Sequence, residues 1–117
     1  MCYHQVVRIA EFVRPDNTTP FQQWFNSLHS QAASKVSIAL VRLELGNTSN
    51  LKRIGMLSEC RVDWGPGYRI YLYEDGRDLI ILFGGGTKQR QHKDIAQAER
   101  LLEEYLALKS KLRGNPK

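Results

Sequence analysis

At 117 residues and 42% apolar content the chain has enough material for one core, so residues 1–117 are expected to fold as a single domain. Lys and Arg number 17 against 12 Asp and Glu, a formal charge of +5 that favours polyanionic partners without dictating a fold. Cys2 and Cys60 have no CxxC or Cys/His spacing, the opening MCYHQVVRIAEFVRPDN lacks an apolar signal core, and no window reaches the ~20 apolar residues of a membrane span; a zinc site, a disulfide framework, export and a membrane partner are not indicated, and a cytoplasmic protein is expected.

From Gln5 to Phe12 the β-branched run reads as a strand, stopped by the turn-forming Arg14-Pro15-Asp16-Asn17. A helix then opens, with Thr18 or Thr19 as cap and Pro20 in the first turn. Phe21, Trp24, Phe25 and Leu28 recur on one face at helical spacing, the pattern of core packing. Ser30 is the expected cap of a second helix, ended by Gly46-Asn47. Ala32, Val36, Leu40 and Leu43 form one stripe and Ile38, Val41 and Leu45 another, which predicts a helix largely covered. Asn47 to Asn50 reads as a polar loop, and the stretch on to Met56 has no assignable period; Lys52 and Arg53 within it are expected in solvent.

Three strands follow, at 59–64, 68–74 and 78–83, joined by GPG (65–67) and EDGR (74–77), so an antiparallel meander is expected. Alternation in the middle strand sets Arg69, Tyr71 and Tyr73 on one face and Tyr68, Ile70 and Leu72 on the other. The unbroken LIILF suits a strand covered on both sides. A last helix spans Gln91 to Leu112, with Ile95, Ala98, Leu102 and Tyr105 at helical spacing, and 113–117 reads as a frayed tail. The order β-α-α-β-β-β-α defines an α+β domain with a small sheet flanked by helices.

The stretch FGGGTKQRQHKD, Phe83 to Asp94, carries the chemical signal. A nucleotide-binding P-loop requires Gly-x4-Gly-Lys-Ser/Thr, whereas here Thr87 precedes Lys88 and the earlier glycine is missing. A glycine run after a buried strand is in itself only a turn that tolerates positive φ. Its company argues for more: Lys88, Arg90 and Lys93 cluster where the third strand ends, and Arg61 and Arg69 lie on neighbouring strands. Five cations at one sheet edge could follow a nucleic-acid backbone.

Taken together, ECRVDWGPGYRIY and LIILFGGGTKQRQHKDI resemble the RelE/ParE superfamily of bacterial toxins, in the HigB-like branch of addiction-module killer proteins. The usual pattern there is roughly Glu-Leu-Arg, Gly-Pro-Gly-Tyr-Arg-(Val/Ile)-Tyr, then Gly-Gly-Asp-Lys-Ser-Thr-Gln-x-x-Asp-Ile. The resemblance runs from about Val7 to Leu108. Glu59, Arg61, Tyr68, Arg69, Lys88, Gln91, Asp94 and Ile95 stand on the pattern; Cys60, Thr87, Gln89 and Arg90 depart from it.

The resemblance implies a RelE-like fold and a growth-arresting messenger-RNA endoribonuclease, expected to be ribosome-dependent, in which a ribose 2′-OH attacks the adjoining phosphate. It also implies a cognate helix-turn-helix antitoxin encoded by the adjacent gene. No cofactor or metal is strictly needed. The chemistry calls for charge stabilisation and proton transfer, so Arg69 is the first candidate phosphate clamp, with Arg61 and Lys88 completing an electrostatic pocket. Lys88 and His92 are candidate proton donors. Arg90, Lys93, Tyr71 and Tyr73 are candidate RNA contacts, the tyrosines as stacking platforms, and Gln91 and Asp94 fit supporting roles at the helix start. The alternatives are a ParE-like toxin that inhibits DNA gyrase by binding, and an inactive homologue retained for pairing with its antitoxin.

Overall fold

A computed structural model describes residues 6–113. The described chain runs β1 (Arg8–Glu11), α1 (Pro20–Asn26), α2 (Ser30–Glu44), β2 (Leu51–Ile54), β3 (Leu57–Val62), β4 (Tyr68–Asp75), β5 (Leu79–Thr87), a single 3-10 turn (Lys88–Arg90) and α3 (Gln91–Leu112). It is an α+β fold around one five-stranded mixed sheet, ordered β1-β5-β4-β3-β2. The meander from β2 to β5 is antiparallel, and β1 joins β5 in parallel. Gln5, where the first strand was expected to begin, and all of the expected tail except Arg113 lie outside the described residues.

Period-two alternation splits the sheet into two faces. Cys60, Ile70, Leu72, Ile80 and Leu82 pack with Phe21 of α1 and Val36 of α2; Leu57, Tyr71, Ile81 and Phe83 pack with Ala98, Leu101 and Leu102 of α3. The LIILF run is buried on both faces as expected, and α3 keeps its expected bounds. Burial pushes the Cys60 thiol up to about 11, so this cysteine is a packed apolar group.

Four expectations are corrected. First, the unassigned stretch before Met56 contains β2, an edge strand whose short LKRI sequence offers no sustained alternation; it pairs with β3 across Gly55, which takes φ +60. Lys52 and Arg53 are exposed, as expected. Second, α2 is capped by His29, whose Nδ1 accepts from the Ala32 N–H at 3.4 Å, and Ser30 is its first helical residue. Third, α2 is covered on one stripe only: Ala32, Val36 and Leu43 are buried, while Ile38, Val41 and Leu45 are 44, 51 and 65% exposed. A 100° step per residue cannot turn both stripes to the same sheet.

Fourth, Gly84 to Gly86 form no turn: they extend β5 to Thr87. An added Cβ at Gly85 would lie 2.5 Å from the Trp24 ring and 2.6 Å from the Arg69 carbonyl oxygen, and one at Gly86 would overlap the Asp94 carboxylate. These two glycines are needed for close approach, not for positive φ.

Candidate functional site

The site is built where β3, β4 and β5 end beneath the start of α3. Arg61 and Arg69 are direct register partners, and Gly86 lies across from Arg69 on the other side. Lys88 reaches the same place through its backbone, whose N–H donates to the Gly67 carbonyl at 3.1 Å. Gly67 is the junction: a Cβ there would sit 3.7 Å from Arg69 Nη1 and 4.0 Å from Lys88 Cβ. Side chains of Arg61 and Lys88 are exposed, and the three cations share one end of the sheet.

Arg69 is not the free strand-face cation the alternation suggested. It is 8% exposed, and its Nε lies 3.6 Å from Oε2 of Glu59, a carboxylate only 1% exposed. Glu59 sits diagonally across the β3–β4 ladder, within reach of a long side chain. Gln91, at the start of α3, donates its Nε2 to the same Oε2 at 2.6 Å. The supporting place expected for Gln91 is thus a bond that fixes Glu59, which in turn neutralises Arg69.

Asp94, one helical turn after Gln91, also faces inward, onto Gly86. Burial raises its pKa, opposed by Arg90. Tyr71 is buried between Glu59 and Asp94, and desolvation with those two carboxylates pushes its phenol far up. Its hydroxyl feels Glu59 but is not aligned to bond it. Arg69 Nε, Tyr71 Oη and Asp94 Oδ2 are all buried without a hydrogen-bond partner among the described residues. A cluster so incompletely satisfied is costly in a core and marks a place built for something else.

The expected stacking platforms are corrected. Tyr71 is 1% exposed, so its ring is core, and Tyr73 packs against Tyr105 at 6.1 Å, two residues further along β4. The outer side of the α3 start behaves differently. His92 and Lys93, with Gln89 and Arg90, line an open hollow in solvent, because they fall between the inward positions Gln91 and Asp94 on the helical wheel. The structure therefore gathers Arg61, Arg69, Lys88, Gln91 and Asp94, and sets His92, Arg90 and Lys93 on the rim.

Glu59 as ion-pair partner and Tyr71 as a buried, unpaired phenol were not foreseen as site groups. A charge at a strand centre, diagonal to an arginine on the next strand, was the available signal for the first. No described helix is long and apolar enough to cross a membrane.

No protein-family profile matches the chain. It is 38% identical over 89 residues to an uncharacterized protein of Haemophilus influenzae, a match covering 74% of this chain and 90% of that protein. The chain belongs to the same family as that protein.

Proposed function

We propose that this protein is a RelE-like toxin of a bacterial toxin–antitoxin module and acts as a messenger-RNA endoribonuclease. The observation that carries the reading is the convergence of Arg61, Arg69 and Lys88 at one sheet end, with Arg69 held by a buried carboxylate that Gln91 holds in turn. A guanidinium fixed in this way offers its remaining N–H groups to a phosphate without first losing side-chain freedom. Arg61 and Lys88, both exposed, add charge where the phosphorane-like transition state gains it.

In that reaction the ribose 2′-oxygen bonds to the adjoining phosphorus as the P–O5′ bond breaks. The 2′ proton leaves to a base, and the departing 5′ oxygen receives one. Lys88, beside the Arg69 guanidinium, is the candidate donor to O5′; His92, on the rim, is reached only by a chain that passes over the start of α3. Arg90 and Lys93 extend the positive surface for the RNA backbone. The partner is a helix-turn-helix antitoxin, and the site of action is the translating ribosome in the cytoplasm.

The test is induced expression without antitoxin, followed by primer extension on a translated reporter. Cuts at a fixed place in the codon frame are expected, and Lys88→Gln should abolish them while the protein stays folded. Intact messages alongside a supercoiling defect would replace this reading with gyrase inhibition.

A further inference from the structure

Next to the three cations a cleft of about 350 Å³ opens between α1 and α3. Trp24 lines it from α1, Asp94 and Gln97 from α3, and Tyr71, Gly84 and Gly85 from the sheet between them. Two of its lining residues carry the unpaired buried oxygens, Tyr71 Oη and Asp94 Oδ2. Leaving both unsatisfied costs stability that a Phe and an Asn would avoid, so the pair calls for a ligand that supplies their hydrogen bonds.

The cleft is also continuous with the phosphate-binding end. Gly86 pairs with Arg69, and Gly84, on the cleft floor, pairs with Tyr71 two positions further along β4. Two strand residues span roughly 6.6 Å, the scale of one nucleotide from its phosphate to its base.

We propose that this cleft is a nucleobase subsite that selects guanine, with Asp94 accepting from the N1–H and N2–H groups, Tyr71 donating to O6 and Trp24 against the ring. The proposal rests on the reading of RNA as substrate. Guanine is the base whose Watson–Crick edge places two N–H donors side by side next to an acceptor. Uracil offers one donor between two carbonyls. Adenine and cytosine set a ring acceptor beside their amino group, which would face a carboxylate oxygen. Carboxylate pairing with base N–H groups and stacking on aromatic side chains are ordinary means of reading an unpaired base. A partner protein's arginine would also meet Asp94, but it would have to enter beside Arg61, Arg69 and Lys88. Burial holds the pKa of Asp94 up, as suits a carboxylate lacking donors in the unliganded protein.

The experiment titrates the full chain with the 5′-monophosphates of guanosine, adenosine, cytidine and uridine, following the Trp24 indole N–H and the Gly84 and Gly85 amides by NMR. Guanosine monophosphate should bind about tenfold to hundredfold more tightly than the others, the discrimination of a good bidentate base contact. Asp94→Asn should erase the preference. Tyr71→Phe should raise the melting temperature of the unliganded protein yet weaken guanosine monophosphate, a combination that a purely structural tyrosine would not give. Equal shifts with all four nucleotides, shifts with arginine amide but none with guanosine monophosphate, or an unchanged preference in Asp94→Asn would each overturn the subsite. Message cleavage with no guanine preference overturns the subsite and leaves the nuclease standing; guanine-selective binding without cleavage does the reverse.

Discussion

Arg69 and Glu59 form an ion pair from adjacent strands with both partners buried. The pair makes the two halves of a phosphate clamp inseparable: one group presents charge, the other keeps that charge compatible with a core.

Arg69→Ala should therefore lower stability as well as cleavage. It leaves Glu59 buried with only Gln91 beside it, and breaking a buried pair from one side costs about 3 to 5 kcal/mol. Arg69→Gln combined with Glu59→Gln should recover much of the stability and none of the activity. Urea unfolding of the single and double variants, beside single-turnover cleavage, checks this; an Arg69→Ala protein as stable as the parent would show that the pair contributes nothing.

Gly85→Ala should destabilise by about 1 to 3 kcal/mol, because the new methyl meets both the Trp24 ring and the Arg69 carbonyl oxygen and the core there cannot yield freely. Gly86→Ala collides instead with the Asp94 side chain alone. Its cost should shrink when Asp94→Ala is added, whereas that of Gly85→Ala should not. A double-mutant cycle by thermal unfolding separates the two cases.

At the far end of β4, Tyr105 donates to Asp75 at 2.5 Å and Lys109 donates to the same carboxylate at 2.6 Å. Burial, then the bond to Asp75, pushes Tyr105 up to about 12 from its ordinary 10.0. A folded-state value above the unfolded one means that its contribution is full below pH 10 and is lost as pH rises towards 12. Tyr105→Phe should flatten the alkaline fall in stability measured between those limits. A fall as steep as the parent's would assign it to other groups.

The acid side has the opposite sign. The hydrogen bond from Lys109 first, and that from Tyr105 second, hold Asp75 below the usual carboxylate range. Its contribution is present above pH 3.8 and disappears as pH falls through the lower folded value. Asp75→Asn should weaken the protein near neutrality and remove that part of its acid lability, as read from urea midpoints against pH.

Local pattern made α3, β4 and the doubly covered β5 legible, because each repeats its period over several turns or residues. β2 was not legible: its partner lies in β3, and four residues cannot display alternation against noise. The same limit applied to the site. Arg61, Arg69 and Lys88 could be read as neighbours from strand order, but the capture of Arg69 by Glu59 depends on a diagonal contact between strands. The glycine run misled for a related reason. Its smallness answers to Trp24 and Asp94, which lie on two different helices, and only tertiary structure reveals what a missing side chain makes room for.

The pairing of β4 with β5 skips a place: Tyr71 lies across from Gly84 and Leu72 from Leu82, so β5 holds one residue, Phe83, more than its partner uses. Such a slack link absorbs changes in length. Excising Gly84 would let Phe83 take the place opposite Tyr71 on the face it already occupies. Gly85 and Gly86 would stay opposite Ile70 and Arg69, and the helix beyond would keep its phase. Drift by a single codon in this run is thus survivable for the scaffold, while the floor of the cleft closes. The strand can change its length without changing its meaning to the rest of the fold, and selection on the ligand rather than on folding would then govern how many glycines remain.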